Sequence, residues 1–447
     1  MRIICSFLLA PAAFGLPIDS SEVAQREVPR PSSYADVVEK AQKSVVSVYP
    51  ATLLTESADE DQAFLDRYFG RTGEDDDKRI SGHGSGVIVG ADGLILTNNH
   101  VVRTASGSLA DEILVELHTG RRHPATLVGT DPLTDIAVLK MEPSPDGPPL
   151  PIADSSNVRV GDLVFAIGNP FEVGMTVTMG CVSATRRRGL NLGGPGSFED
   201  FLQTDASINP GNSGGALVDA SGRLVGINTA IRSAGGGSVG IGFAVPSRLA
   251  VHVADHLVAH GRVVRSRLGI SVTTVKPDKN GPGGARIASV EPASPAARAG
   301  LRPGDILVEI DSLPVPDEAA LRLYSSLMPP GVAKPLTLWR DGKRETLHAT
   351  FEEIPADDNT EGADGAAEVL RGVALRPNDQ PEGLRVDAIE PDSPHDGRLQ
   401  VGQIILEING TKTASLAVAR SALKRGVNQL RVHHDGTSLL VALRIHD

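Results

Sequence analysis

One serine of this chain stands among glycines at −2, +1 and +2, in Gly211-Asn212-Ser213-Gly214-Gly215. Glycine lets a backbone turn sharply and lets a second molecule approach it closely. A nucleophilic serine needs both, together with backbone N–H groups aimed at the charge that develops on an attacked carbonyl oxygen. In this stretch (Gly211, Asn212, Ser213) the N–H groups of Gly211 and Ser213 are the candidate oxyanion donors, by analogy with chymotrypsin-type sites. Alone, the motif also describes an ordinary Gly-rich hairpin turn. It fits the G-x-S-x-G elbow as well, but that elbow requires a following helix, with its acid and histidine downstream. Here Ala216-Leu217-Val218, a turn over 219–223 and Leu224-Val225-Gly226-Ile227 follow. That is strand, turn and strand, so the elbow reading fails.

A serine nucleophile needs a base, and the chain has 12 histidines to choose from. His100 follows Leu94-Ile95-Leu96-Thr97-Asn98-Asn99 and precedes Val101-Val102. A histidine fixed at the end of a rigid strand can be aimed, although a lone histidine is more often structural. Asp135 opens the apolar run Ile136-Ala137-Val138-Leu139 and can lie partly buried against the imidazole, with Asp131 as its nearest competitor. The chain order His, Asp, Ser matches the chymotrypsin class and neither the subtilisin nor the α/β-hydrolase class.

The elements that must position these residues are short. Gly86–Val89, Leu94–Thr97, Ile113–Leu117 and Ile136–Leu139 are β-rich runs broken by Gly and Asn turns, a pattern expected of a barrel or sandwich. A helix is expected over Tyr34–Gln42 with Ser33 as its cap, then a strand over Val45–Tyr49. A second helix is expected over 247–260, with Leu249, Val253 and Leu257 on its apolar face. Past residue 262 the sequence repeats itself. Ile287-Ala288-Ser289-Val290-Glu291-Pro292 matches Val386-Asp387-Ala388-Ile389-Glu390-Pro391, and Gly304-Asp305-Ile306-Leu307-Val308-Glu309 matches Gly402-Gln403-Ile404-Ile405-Leu406-Glu407. An offset near a hundred residues is too long for a solenoid unit and implies two copies of one domain.

Three blocks, Thr97-Asn98-Asn99-His100-Val101-Val102, Thr134-Asp135-Ile136-Ala137-Val138-Leu139-Lys140 and Gly211-Asn212-Ser213-Gly214-Gly215-Ala216-Leu217, resemble the triad blocks of the Deg/HtrA family of serine proteases. Gly168-Asn169-Pro170-Phe171 and Gly226-Ile227-Asn228-Thr229-Ala230-Ile231 resemble further family blocks, and the repeat resembles two PDZ domains. The resemblance implies a mainly β fold: a chymotrypsin/trypsin-like double β-barrel protease domain followed by two PDZ domains. It implies catalysis by His100, Asp135 and Ser213 without metal or cofactor, and a side-chain pocket near Ile208, Asn228, Thr229, Ala230 and Ile231. No acid is evident in that pocket, so small or medium aliphatic side chains are expected in it. It also implies quality control of unfolded or misfolded envelope proteins in the periplasm, and homotrimers or higher multiples.

In the first repeat copy, Ser294 caps a short helix that begins at Pro295 and ends before Gly300. Leu268, Gly269 and Ile270 resemble the carboxylate-binding loop of a PDZ domain, although Ser266 stands where the family pattern has Gly. Such a loop takes peptide C-termini by strand addition and backbone N–H groups. The second copy is less regular and one residue shorter between Pro394 and Leu399, and assembly is as good a role for it as peptide binding. The domain plan is therefore a signal peptide at 1–16, a linker at 17–33, a protease at 34–262, PDZ domains at 263–354 and 367–447, and a linker at 355–366.

Other features narrow the class. A net charge of −12 disfavours nucleic acid as a partner, because phosphate contacts need a basic face. The start, with Arg2 ahead of a short apolar run and Ala12-Ala13, reads as a secretory signal too short to span a bilayer. Of two cysteines, Cys5 lies in that segment, and Cys181 is expected to be a small buried hydrophobe. The charged stretch 55–80 reads as a surface loop. Gly235–Gly240 fits G-x-G-x-x-G but leads into a strand-like run, so a loop is the better reading. His252, His256 and His260 line one helix face, more plausibly a polar face than a zinc site. The rival to a protease is a chaperone or scaffold of the same architecture with an idle site; a pure PDZ adaptor leaves the first 250 residues unexplained.

Overall fold

The computed structural model describes residues 18–19 and 33–445, apart from 54–77, 81, 105–107, 170–173, 191, 194–195, 232–236, 278–280, 356–369, 371, 380–381, 390–397, 414–417, 420–421, 425 and 435–436. The expected signal segment, almost all of both linkers and most of the charged loop at 55–80 lie outside the described residues. So do Pro170, Phe171, Gly235, Gly236 and the run 391–397. The chain divides into two compact units, 1–189 with 199–263 and 190–198 with 264–447.

The first unit holds two closed sheets. Helix α1 (Ala35–Gln42) starts where the Ser33 hydroxyl accepts the Ala35 N–H at 3.1 Å. Six strands form the first ring, β1 (Val45–Leu53), β2 (Gly84–Ile88), β3 (Leu94–Thr97), β4 (Glu112–Glu116), β5 (Arg122–Asp131) and β6 (Ile136–Met141), and the end of the stretch expected as a loop, Lys78–Ile80, instead forms a short strand on the end of β1. They pair in the order β1-β2-β3-β6-β5-β4, and β4 returns to β1. The second set is β7 (Leu163–Gly168), β8 (Thr176–Arg187), β9 (Phe201–Thr204), β10 (Ala216–Asp219), β11 (Leu224–Ile231) and β12 (Gly242–Pro246). Its ring runs β7-β8-β9-β12-β11-β10 and closes from β10 to β7, the same path as the first. Closure leaves no bare edge, and β-branched and aliphatic side chains fill each interior. Val46, Val48, Ile95, Val115 and Leu139 pack inside the first barrel, and Val164, Val182, Leu217, Val225 and Ala244 inside the second. The described chain is thus mainly β, with two β-barrels in the unit that carries the serine.

Helix α2 (Ser247–His260) buries Leu249, Val253 and Leu257 and ends at Gly261, which takes the left-handed conformation. His252, His256 and His260 stack along it, ring centroids 4.6 and 5.8 Å apart. Cys181 departs from expectation. It is only partly exposed to solvent and not buried, because β8 buries little besides Val182. Partial loss of solvent and the neighbouring Asp205 carboxylate both hold its thiol above the usual value, which disfavours the reactive thiolate.

The second unit contains two sheets of one design. Strands β13 (Ile270–Val275), β14 (Gly284–Val290), β15 (Ile306–Ile310), β16 (Ala333–Arg340) and β17 (Lys343–Thr350) pair in that order, with helix α3 (Glu318–Leu327) between β15 and β16. Strands β18 (Val373–Asp379), β19 (Glu382–Ile389), β20 (Ile404–Ile408), β21 (Gly426–His434) and β22 (Thr437–Ile445) repeat the order. The repeated sequence makes repeated bonds. Ile287 donates its N–H to Asp305 and accepts that of Gly304, while Val386 does the same with Gln403 and Gly402. In the first copy Ser294 caps the helix Pro295–Arg298 by accepting the Ala297 N–H at 3.2 Å.

Candidate active site

His100 opens a single 3-10 turn, His100–Val102, with only Asn98 and Asn99 between it and β3. Val101 and Val102 are buried in the first barrel, and this anchors the turn while the imidazole keeps 49% of its side-chain surface exposed. Asp135 sits in the tight connection between β5 and β6 with φ at +57°, a region that Asp tolerates better than most residues. Its carbonyl accepts the Asn99 N–H (3.2 Å) and the Asn98 side-chain amide (2.9 Å). The carboxylate then faces His100, with Oδ2 2.8 Å from Nδ1, and Oδ1 accepts the His100 N–H at 3.1 Å. Asp131, the competitor, is buried and takes the Thr134 hydroxyl. The structure therefore brings Asp135 and not Asp131 to the ring.

Two effects oppose each other at His100. Loss of solvent disfavours the imidazolium, but the charge of Asp135 and its hydrogen bond favour it more. The pKa of His100 stands above its ordinary 6.5 as a result.

Ser213 lies in the loop before β10. Pro210 and Gly211 occupy the centre of a turn closed by the Asn212 N–H to the Asn209 carbonyl at 3.0 Å, and Gly211 has φ at +99°. Pro followed by Gly at positive φ is the signature of a type II turn, a more specific signal than a Gly-rich stretch. The Asn212 N–H is used in closing that turn. The N–H groups of Gly211 and Ser213, two residues before the serine and on the serine itself, donate to nothing among the described residues. The Ser213 hydroxyl donates to the Thr229 carbonyl at 3.2 Å.

The expected pocket residues separate into different tasks. Ile208 is buried and packs against Gly242, which pairs with Ile231. Ala230 and Ile231 are half-buried at the end of β11. Asn228 is fully buried and braces the loop: its side-chain amide donates to the Ala216 carbonyl at 2.9 Å, and its own carbonyl accepts the Gly214 N–H at 2.8 Å. Thr229 touches both halves of the site, because its hydroxyl donates to Asp135 Oδ2 at 2.5 Å while its carbonyl holds the Ser213 hydroxyl. Nothing in the local sequence distinguishes that task from pocket lining.

In the second unit Leu268 is buried and its carbonyl accepts the Ala296 N–H at 2.9 Å. Gly269 has φ at +74°, and a Cβ there would lie 2.4 Å from the Ser294 Cβ. The N–H groups of Leu268 and Gly269 donate to no described residue. Ile270 begins β13, an edge strand that pairs with β14 alone among the described strands.

A family model described as a trypsin-like peptidase domain matches residues 84–227, and a PDZ domain model matches residues 266–350. The chain is 36% identical to the periplasmic pH-dependent serine endoprotease DegQ of Escherichia coli, over 94% of this chain and 92% of that protein. It is 38% identical to the periplasmic serine endoprotease DegP of Salmonella typhimurium, over 81% of this chain and 76% of that one. Among solved structures, the HtrA-type protease AlgW with tripeptide superposes with a TM-score of 0.56 at 41% identity, covering 72% of this chain and 98% of that one.

Proposed function

The chain belongs to the Deg/HtrA family of serine endoproteases, and from that premise we propose that it cuts unfolded or misfolded envelope proteins in the periplasm with Ser213 as nucleophile. The chain is a serine endopeptidase, with a trypsin-like peptidase domain and a PDZ domain. The observation that carries the assignment of roles is the Nδ1 of His100 held 2.8 Å from Asp135, which Thr229 links to a serine whose own N–H and that of Gly211 are unfilled among the described residues.

In the proposed reaction His100 Nε2 removes the Ser213 proton as Oγ attacks a peptide carbonyl. Asp135 fixes the ring with its proton on Nδ1 and stabilises the imidazolium that forms. The Gly211 and Ser213 N–H groups bind the oxyanion. His100 then protonates the leaving amine, and water, deprotonated by the same nitrogen, hydrolyses the acyl-enzyme. Between substrates the Ser213 hydroxyl rests on the Thr229 carbonyl, and it must rotate toward His100 to react. The pocket formed by Ile208, Ala230 and Ile231 takes small or medium aliphatic side chains. The deciding experiment compares one protein in its folded form and permanently unfolded, with cleavage sites mapped by mass spectrometry. The unfolded form alone is degraded, mostly after residues such as Val and Ala. Equal degradation of both forms, or cutting after Lys and Arg, overturns the substrate assignment.

The Leu268–Ile270 loop and the open edge of β13 serve in this reading as a receptor for peptide C-termini. Gly269→Val places a branched side chain where φ is positive and Ser294 is in the way. It is expected to weaken binding of a fluorescent peptide with a free carboxylate by at least about tenfold, the weight of one or two charge-assisted hydrogen bonds. Amidating the peptide is expected to weaken wild-type binding and to change little in the variant. The 367–447 copy is a second, divergent PDZ domain, supported by the shared strand order and shared backbone bonds. Its role is in substrate holding or in assembly of trimers and their multiples.

A further inference from the structure

Ser85 lies in β2 of the first barrel, fully buried, and all its polar groups are engaged. Its N–H donates to the Ser213 carbonyl at 2.8 Å and its hydroxyl donates to the Gly211 carbonyl at 2.7 Å. The same hydroxyl accepts the Asn169 N–H at 3.0 Å, and its carbonyl accepts the Thr97 hydroxyl at 2.7 Å. Asn169 is itself fixed, its amide donating to Ser47 Oγ at 2.9 Å and its Oδ1 accepting the Gly174 N–H at 2.9 Å. One residue of the first barrel therefore holds the carbonyls of the two residues in the second barrel whose N–H groups stand unfilled.

We propose that Ser85 is a positioning residue that aims the Gly211 and Ser213 N–H groups at the oxyanion. A peptide unit is planar, so a carbonyl held at one end fixes the direction of its plane. The Gly211–Asn212 peptide is held at both ends, by Ser85 Oγ at its carbonyl and by the Asn209 carbonyl at its N–H. That clamp fixes the orientation of the turn from which the Gly211 N–H projects. Without the hydroxyl the Gly211 carbonyl is left unmatched in a dry setting, and the turn is free to reorient to find a partner. The inference rests on Ser213 being the nucleophile.

Ser85→Ala removes the hydroxyl's bond to the Gly211 carbonyl and the acceptor of the Asn169 N–H, while the Ser85 N–H to Ser213 bond belongs to the backbone and persists. Losing a whole oxyanion donor costs about 10²–10³ in kcat, so loosening two donors should cost about 10–100-fold. The expected result on a short fluorogenic peptide is that fall in kcat with KM within about twofold. A peptidyl boronate, whose tetrahedral adduct fills the oxyanion site, should bind more weakly by a similar factor. Ser85→Cys, a near-isosteric weak donor, should fall between the two, and it supplies the same readouts if the alanine variant does not fold. The proposal is overturned if kcat stays within about twofold of wild type. It is equally overturned if activity falls only with the folded fraction while boronate affinity per folded site is unchanged. Ser213→Ala is run alongside; activity surviving there would refute the nucleophile assignment and leave the Ser85 contact to be judged by thermal stability and turn geometry.

Discussion

Ser213→Ala should lower the hydrolysis of an unfolded protein by about 10⁶-fold, to the level of a background contaminant, while the protein still folds and binds substrate. The size follows from what the hydroxyl does in the proposed reaction. Without it no acyl-enzyme forms, and His100 and the oxyanion donors have no attacking oxygen to serve except water. The small effect on folding follows from the contacts. Among the described residues the hydroxyl makes one hydrogen bond, to the Thr229 carbonyl, at the long distance of 3.2 Å. A single neutral bond of that kind is worth about 1 kcal/mol. Degradation assays and reaction with a fluorophosphonate probe should therefore fail together while the melting temperature moves little. Equal degradation by wild type and variant would mean that Ser213 is not the nucleophile. Absence of degradation by both, with aggregation of the substrate suppressed, would favour a chaperone of the same architecture.

How much of this site could be read from the sequence depends on the range of each interaction. The candidacy of Ser213 is legible because it rests on local requirements, with glycines within two residues on either side. His100 was legible because the strand before it and the two valines after it fix its place. The choice of Asp135 over Asp131 is a long-range matter. Both carboxylates flank the same tight turn, and only the pairing of β3 with β6 carries one of them to the ring. Thr229 and Ser85 show the limit more sharply. Each acts across the fold, Thr229 on a carboxylate 94 positions away and Ser85 on a carbonyl 126 positions away. No local pattern marks either. The Pro210-Gly211 turn is readable from its residue types, whereas the glycines alone describe only a generic turn. Cys181 failed for a different reason: a run of apolar letters in a strand does not reveal which face a barrel covers. The repeat is legible where its backbone bonds recur: Gly304 and Gly402 keep the same bond although Asp305 and Gln403 differ in charge.

Asp135→Asn should reduce kcat/KM at neutral pH by about 10⁴-fold and move the acid limb of the pH profile to lower pH. Asparagine has the same shape and also accepts the left-handed backbone that this turn demands at φ +57°, so the change is one of charge and proton placement. In the wild type the general base must be neutral to act. Desolvation lowers the pKa of His100, but the Asp135 charge and hydrogen bond raise it further, so activity should appear as pH rises through a value above 6.5. Removing the carboxylate leaves desolvation unopposed, and the limb moves below its wild-type position. Most of the rate loss remains at high pH, since a neutral amide can present its N–H to Nδ1 and leave the ring in the wrong tautomer. The same shift sets a stability trend of opposite sense to activity. A histidine pKa raised by folding contributes stability that is fully present below the unfolded value near 6.5 and is lost as pH rises through the folded value. The melting-temperature gap between wild type and Asp135→Asn should therefore be wider at pH 5.5 than at pH 8.5, where the ion pair is gone and only the hydrogen bonds to the carboxylate from Thr229, the His100 N–H and the neutral ring separate them. An acid limb that stays in place, or a gap independent of pH, would mean that the pair at 2.8 Å does not set the charge state of the base.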